Sequence, residues 1–182
     1  MAEFDLVIRN SNIATESDRY SADIGITGGV IAAIGDDLGP GFEEIDAAGR
    51  LVLPGGIDSH CHVEQISSTG IWTADGWFTA TRSAACGGNT MIIPFACQHR
   101  GDSLRDVVTA YHEMAGPKAV IDYAFHLIVS DPTAQVLGQE LPALIKDGYT
   151  SFKIYLTYDA LMLSDRQFLD VLAVARRDGA MV

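Results

Sequence analysis

From Pro54 onward the chain repeats one pattern four times, and this repeat narrows the possible folds more than any other feature. The strand candidates "GGIDSH", "TMIIPFA", "AVIDYAFHLIV" and "SFKIYL" alternate with segments of helical period. Each helix carries its own boundary chemistry. One from about Asp75 to Cys86 stops at Gly87-Gly88. "SLRDVVTAYHEMAG" sets Leu104, Val107, Val108, Tyr111 and Ala115 at helical spacing, with Ser103 or Asp102 as cap and Gly116-Pro117 as stop. A helix near 140–147 tolerates Pro142 only in its first turn. The last, "SDRQFLDVLAVARRDG", opens with Ser164 and Gln167 at capping-box spacing and closes on Arg176, Arg177 and Gly179. Strand–helix units in series imply a parallel sheet, hence an α/β fold. A complete eight-stranded barrel takes roughly 250 residues, so residues 55–182 cover about half of one. A doubly wound open sheet of this size is the alternative. The closing "DGAMV" reads as the start of a fifth strand.

Residues 1–54 follow a different rhythm. "FDLVIRN" precedes "YSADIGITGGVIAAIG", in which Gly28-Gly29 falls between two apolar runs as a hairpin turn does. "EEIDAAGRLVLP" adds two short strands around Ala48-Gly49. The segment is a small β unit, and the chain divides into 1–54 and 55–182.

Charge removes some partners. The chain of 182 residues carries a net charge of −12, a poor match for nucleic acid or an anionic membrane surface. No stretch is apolar for long enough to span a bilayer. "MAEFDLVIRN" has no basic region leading an apolar run, so no signal peptide is expected. Cys61, Cys86 and Cys97 show no CxxC spacing and fit reduced thiols in a cytoplasm. Cys86 and Cys97 are expected as small buried hydrophobes.

Two places carry chemistry. In "PGGIDSHCHVE" His60 and His62 are two apart, so on a strand they project to one face while Cys61 points away. At the carboxyl end of a parallel strand, two such imidazoles can grip one metal ion, and paired core histidines are the alternative. Asp58 lies one step deeper, either supporting a ligand or accepting backbone bonds. In "TSFKIYLTY" a lysine occupies the middle of a strand. Either Lys153 snorkels from an edge, or it is held among apolar groups, where an amine turns nucleophilic and can take up carbon dioxide. His126 is expected as a satisfied core histidine. His99 either lines a pocket mouth or is solvated, and His112 belongs to a surface helix with no specific role.

These residues together resemble a known family. "DSHCH" after "LVLPGG", the "FK" strand, and Tyr158 five residues beyond Lys153 are similar to the cyclic amidohydrolases, specifically the dihydropyrimidinases and D-hydantoinases. "ADIGITGGVIAAIG" resembles that family's N-terminal β-sandwich piece, "TATRSAACGGNTMIIPF" its first barrel helix and second strand, and "VIDYAFHLIV" its third strand. The resemblance implies that residues 1–54 are the N-terminal part of a small β-sandwich domain. Residues 55–182 would be the first four βα units of a (β/α)8 barrel, the first half of a TIM-type metal-dependent hydrolase. It implies that His60 and His62 bind the more buried of two zinc ions and that a carboxylated Lys153 bridges both. A hydroxide held between the zincs would attack a dihydropyrimidine or hydantoin ring and open it to an N-carbamoyl amino acid. Tyr158 would be catalytic and substrate-binding, donating its hydroxyl to the oxyanion. The implied partner is a small cyclic amide, and the implied assembly is a homotetramer.

The chain also departs from that family. Two further histidines and an aspartate complete the family's site on later strands, beyond residue 182. The chain therefore reads as a portion of a longer enzyme, inactive by itself. In "VEQISSTGIWTADGW", Glu64, Gln65, Ser67 and Ser68 make the pocket mouth polar. Glu64 stands where dihydroorotase-like relatives carry an arginine. It is expected to repel a substrate carboxylate and so favour a neutral ring. Another cyclic amide or imide hydrolase, allantoinase-like or an imidase, and a non-catalytic relative are the competing readings.

Overall fold

The Gly28-Gly29 pair turns the chain back on itself. In the computed structural model, which describes residues 2–66 and 70–182, both glycines take left-handed φ values, 60° and 77°, as a tight hairpin requires. They join β2 (Arg19–Thr27) to β3 (Val30–Gly35) as an antiparallel pair. β1 (Phe4–Ala14) lies antiparallel on the other side of β2. Its free edge takes β4 (Gly41–Asp46) and then β5 (Leu51–Val52), both parallel to it. The link through Ala48-Gly49 therefore steps along one edge of β1 and does not fold back as a hairpin. Arg9 ties three strands together, reaching Asp23 at 3.0 Å and Glu44 at 2.8 Å. Its guanidinium holds the Glu44 carboxyl below the usual range. These strands form one of the two compact units of the chain, Met1–Pro54.

The second unit is Gly55–Val182. Its sheet contains β6 (Gly56–Cys61), β7 (Asn89–Cys97), β8 (Asp122–Tyr123), β9 (His126–Ile128) and β10 (Phe152–Lys153). Every pairing among them is parallel. The order β6-β7-β9-β10 follows the chain, with β8 beside β7. It has no point of reversal, which a doubly wound sheet needs. The result is a parallel half-barrel sheet. Met181 pairs in parallel with Ser151, through Phe152 N–H to Met181 O at 2.9 Å and Met181 N–H to Thr150 O at 2.8 Å. The residues after the last helix thus begin to pair alongside β10, as expected of "DGAMV".

The helices fall close to where their caps place them. α1 (Trp77–Cys86) ends at Gly87, and Gly88 takes φ 91°. α2 (Leu104–Ala115) is capped by Ser103, whose hydroxyl accepts from Asp106 N–H. A π-helical turn (Val136–Glu140) runs directly into α3 (Leu141–Lys146), with Pro142 in its first turn. α4 (Asp165–Asp178) has the full Ser164/Gln167 capping box and ends on left-handed Gly179. Leu104, Leu127, Leu141 and Val171 are fully buried and fill the space between helices and sheet.

One buried acid holds two of these helices in place. Glu140 is only 4% exposed. Its Oε2 accepts Leu104 N–H at 2.7 Å and the Ser103 hydroxyl at 3.3 Å, and its Oε1 accepts from Gln135 at 2.8 Å. The carboxylate therefore satisfies free donors at the α2 N-terminus, where the helix dipole also favours negative charge. Glu140→Ala is expected to lower the unfolding free energy by about 1–3 kcal/mol, with Glu140→Gln in between. Urea denaturation of the three proteins checks this, and an unchanged midpoint for the alanine variant refutes it.

Candidate functional site

β6 pairs with β7 through Asp58, slips at a bulge, and pairs again at Cys61 with Pro94. Within the slip, Asp58 accepts the His60 backbone N–H at 3.0 Å, so this acid serves the local backbone. The alternation survives the bulge. His60 and His62 both project to the face occupied by Phe95, while Cys61 turns into the core, where burial pushes its thiol up to about 11. The two imidazoles meet edge-on, with centroids 5.8 Å apart. Each also packs on the Phe95 ring, at 4.7 Å and 5.0 Å respectively.

β10 brings the third group to the same ring. The half-buried Lys153 holds its Nζ 4.2 Å from the Phe95 centroid and 5.1 Å from that of Tyr155, a cation–π arrangement. Among the described residues it makes no ion pair. Tyr155 in turn meets Tyr158 at 5.4 Å. Tyr158 has a left-handed φ of 53°, a conformation that a bulky residue rarely adopts without a constraint. Its carbonyl accepts the Leu161 and Met162 N–H groups in a tight turn. A cavity of about 380 Å³ is lined by His62, Cys97, Lys153, Tyr155, Tyr158 and Leu161, among others. His60 lies on an adjoining recess with His126 and Ser151, and Lys153 borders both spaces. The four site residues expected from the sequence are thus brought to one place, with His60 a step outside the main cavity.

The other expectations divide. His126 uses both ring nitrogens: Nε2–H donates to Ser59 O at 2.9 Å, and Nδ1 meets the Ser151 hydroxyl at 2.6 Å. It is a satisfied histidine. His99 is exposed and absent from the cavity lining. Glu64 corrects the reading made of it. Its carboxylate pairs with Lys118 at 2.6 Å and accepts Trp77 N–H at the start of α1 at 3.2 Å. Lys118 holds it below the usual range. It does not line the cavity and gives no argument about a substrate carboxylate. His112 does have a role, bonding Tyr149 at 2.6 Å and Tyr123 at 3.3 Å. Cys86, expected as a buried hydrophobe, is exposed at the end of α1, whereas Cys97 is partly buried. Ser67 and Ser68 lie outside the described residues.

Comparison with known proteins adds a second line of argument. No protein-family model matches the chain. A D-hydantoinase of Rhizobium radiobacter is 46% identical over 179 residues, which is 98% of this chain and 39% of that protein. Among solved structures, a D-hydantoinase superposes with a TM-score of 0.92 at 46% identity, over 97% of this chain and 38% of the other. The chain is homologous to the D-hydantoinase and dihydropyrimidinase family. A dihydropyrimidinase from Brevibacillus agri NCHU1002 agrees, with a TM-score of 0.90 at 42% identity over 96% of this chain and 38% of that one. The chain spans about two fifths of the length of these relatives and matches an N-terminal portion of them.

The fit of a hydantoinase-type metal to this chain rests on its donors. Among the described residues, no group of three or more His, Cys, Asp or Glu side chains converges, and His126 has no nitrogen to spare. The donors are two imidazoles and one amine. Imidazole suits zinc, and the amine becomes an oxygen donor once it carries carbon dioxide. Of these donors, the two imidazoles suit a divalent ion as they stand. Sequence reasoning passed over Phe95, which reads as one more apolar residue in a strand, and Cys97 as part of the cavity wall.

Proposed function

We propose that this chain contributes metal-binding and oxyanion-stabilising groups to a cyclic amide hydrolase. The substrate is a hydantoin or dihydropyrimidine ring, opened to an N-carbamoyl amino acid. The observation that carries this reading is the convergence of His60, His62 and Lys153 on the ring of Phe95, with Tyr158 lining the cavity that His62 and Lys153 share. In this reading residues 1–54 belong to a small β-sandwich domain and residues 55–182 form the first half of a (β/α)8 barrel. The tetrameric assembly implied by the family resemblance and the cytoplasmic location that fits the unpaired cysteines belong to the same proposal.

His60 and His62 would hold the inner of two zinc ions through ring nitrogens, and carboxylated Lys153 would reach both. When bound, the metal pair supplies Lewis acidity toward the ring carbonyl and toward water. The remaining work falls to side chains. Ile66, Ile128, Tyr155 and Leu161 give the cavity apolar walls against which a flat ring can lie. Its volume of about 380 Å³ suits a small heterocycle. Tyr158 donates its hydroxyl to the oxygen that gains charge as the ring carbon becomes tetrahedral.

Two measurements on the intact enzyme test this. Tyr158→Phe is expected to lower kcat by about 10²–10³-fold with zinc content unchanged. An unaltered kcat takes Tyr158 out of the chemistry. A panel of dihydrouracil, hydantoin, allantoin and succinimide is expected to show turnover of the first two. Preference for allantoin or succinimide rejects the substrate assignment.

A further inference from the structure

Gln65 reaches back from the loop after β6, and its side-chain oxygen lies 2.6 Å from Nδ1 of His62. The amide nitrogen of the same side chain faces the carbonyl of Phe95 at 3.5 Å and the hydroxyl of Tyr111 at 3.4 Å. These two contacts are long, but they decide which way the amide points. A backbone carbonyl can only accept, so the NH₂ must be the end that faces Phe95. The oxygen is then the end that faces His62. An amide oxygen also only accepts, so Nδ1 of His62 must carry the hydrogen. The lone pair of the neutral ring is left on Nε2.

The backbone keeps Gln65 in register for this contact. Its N–H donates to the Thr73 hydroxyl at 3.1 Å, and its carbonyl accepts Thr73 N–H at 2.9 Å. Ile66 and Trp72 form an antiparallel bridge one step further on. Partial burial raises the Tyr111 phenol above its ordinary value. The amide therefore has a polar seat at each end.

We infer that Gln65 is a positioning residue for the metal centre: it fixes the tautomer and ring orientation of His62 so that Nε2 is presented as a ligand. The inference rests on the site reading above and adds a residue that the reading did not use. A histidine ligand whose second nitrogen donates to a fixed oxygen is a better base and loses less freedom on binding.

The test is zinc affinity of the intact enzyme, measured by chelator competition, for the parent, Gln65→Leu and Gln65→Glu. Leucine keeps the bulk and removes the acceptor, whereas glutamate keeps an acceptor at the same reach. Gln65→Leu is expected to bind zinc about 10–100-fold more weakly, with Gln65→Glu within about threefold of the parent. Thermal melting of the three metal-free proteins separates this effect from loss of fold. Equal affinity in all three overturns the inference, as does a glutamate variant as weak as leucine, which would make the contribution one of packing. A parent that takes up no zinc at all overturns the site reading itself, and this inference with it.

Discussion

Replacing Lys153 by alanine in the intact enzyme is expected to remove turnover by at least about 10³-fold, some 4 kcal/mol of barrier, and to strip most of the bound zinc. The magnitude follows from the role. On the proposed reading, a group that reached both ions would be lost to both when it goes, so metal and rate would fall together. The alternative is that Lys153 matters as a cation over Phe95 and Tyr155, a contact worth about 0.5–2 kcal/mol. Lys153→Arg separates the two. Arginine keeps the charge over the rings, but its guanidinium stays protonated and does not take up carbon dioxide. Both variants are expected to fail alike in metal analysis and in turnover. An arginine variant that keeps its zinc would leave only the ring contact as explanation.

The largest effect on stability is expected at Trp77. It opens α1, is fully buried, and packs against the rings of Tyr123 and Phe125 at 5.5 Å and 6.0 Å. Trp77→Ala is expected to cost about 3–5 kcal/mol, since the emptied space is enclosed by a sheet and helices that cannot fully collapse. Phenylalanine is a different case. Among the described residues the indole Nε1 is buried without a partner. Trp77→Phe removes that unsatisfied donor as well as some volume, and is expected to cost less than about 2 kcal/mol. Denaturant unfolding of the three proteins gives the ordering. A phenylalanine variant as damaged as the alanine one would show that the indole nitrogen carries no penalty.

What could be read in advance was whatever the chain writes locally. The capping box of Ser164 and Gln167, the left-handed glycines at 28, 29 and 179, and the same-face pairing of His60 and His62 each depend on residues within a few positions of one another. Lys153 stood out because a charge inside an apolar strand violates the pattern around it. The rest depends on contacts between distant segments. Glu140 looks like any acid on a helix, and its task becomes visible only when α2 arrives 36 residues away in sequence. Glu64 looked like part of a pocket mouth because nothing nearby reveals Lys118, 54 positions on. His112 meets Tyr149 from 37 positions away. Pattern reading finds elements and their ends, but partners that meet only after the sheet has formed leave no periodic trace.

A single phenyl group touches His60, His62, His126 and Lys153, and it is itself almost out of reach of solvent. It works as a shared bearing: shifting it by an ångström would move four ionisable groups at once, in different directions. On the proposed reading, changes in which rings are accepted fall to the more open walls at positions 66, 155 and 161, while position 95 stays coupled to the site and to the core together.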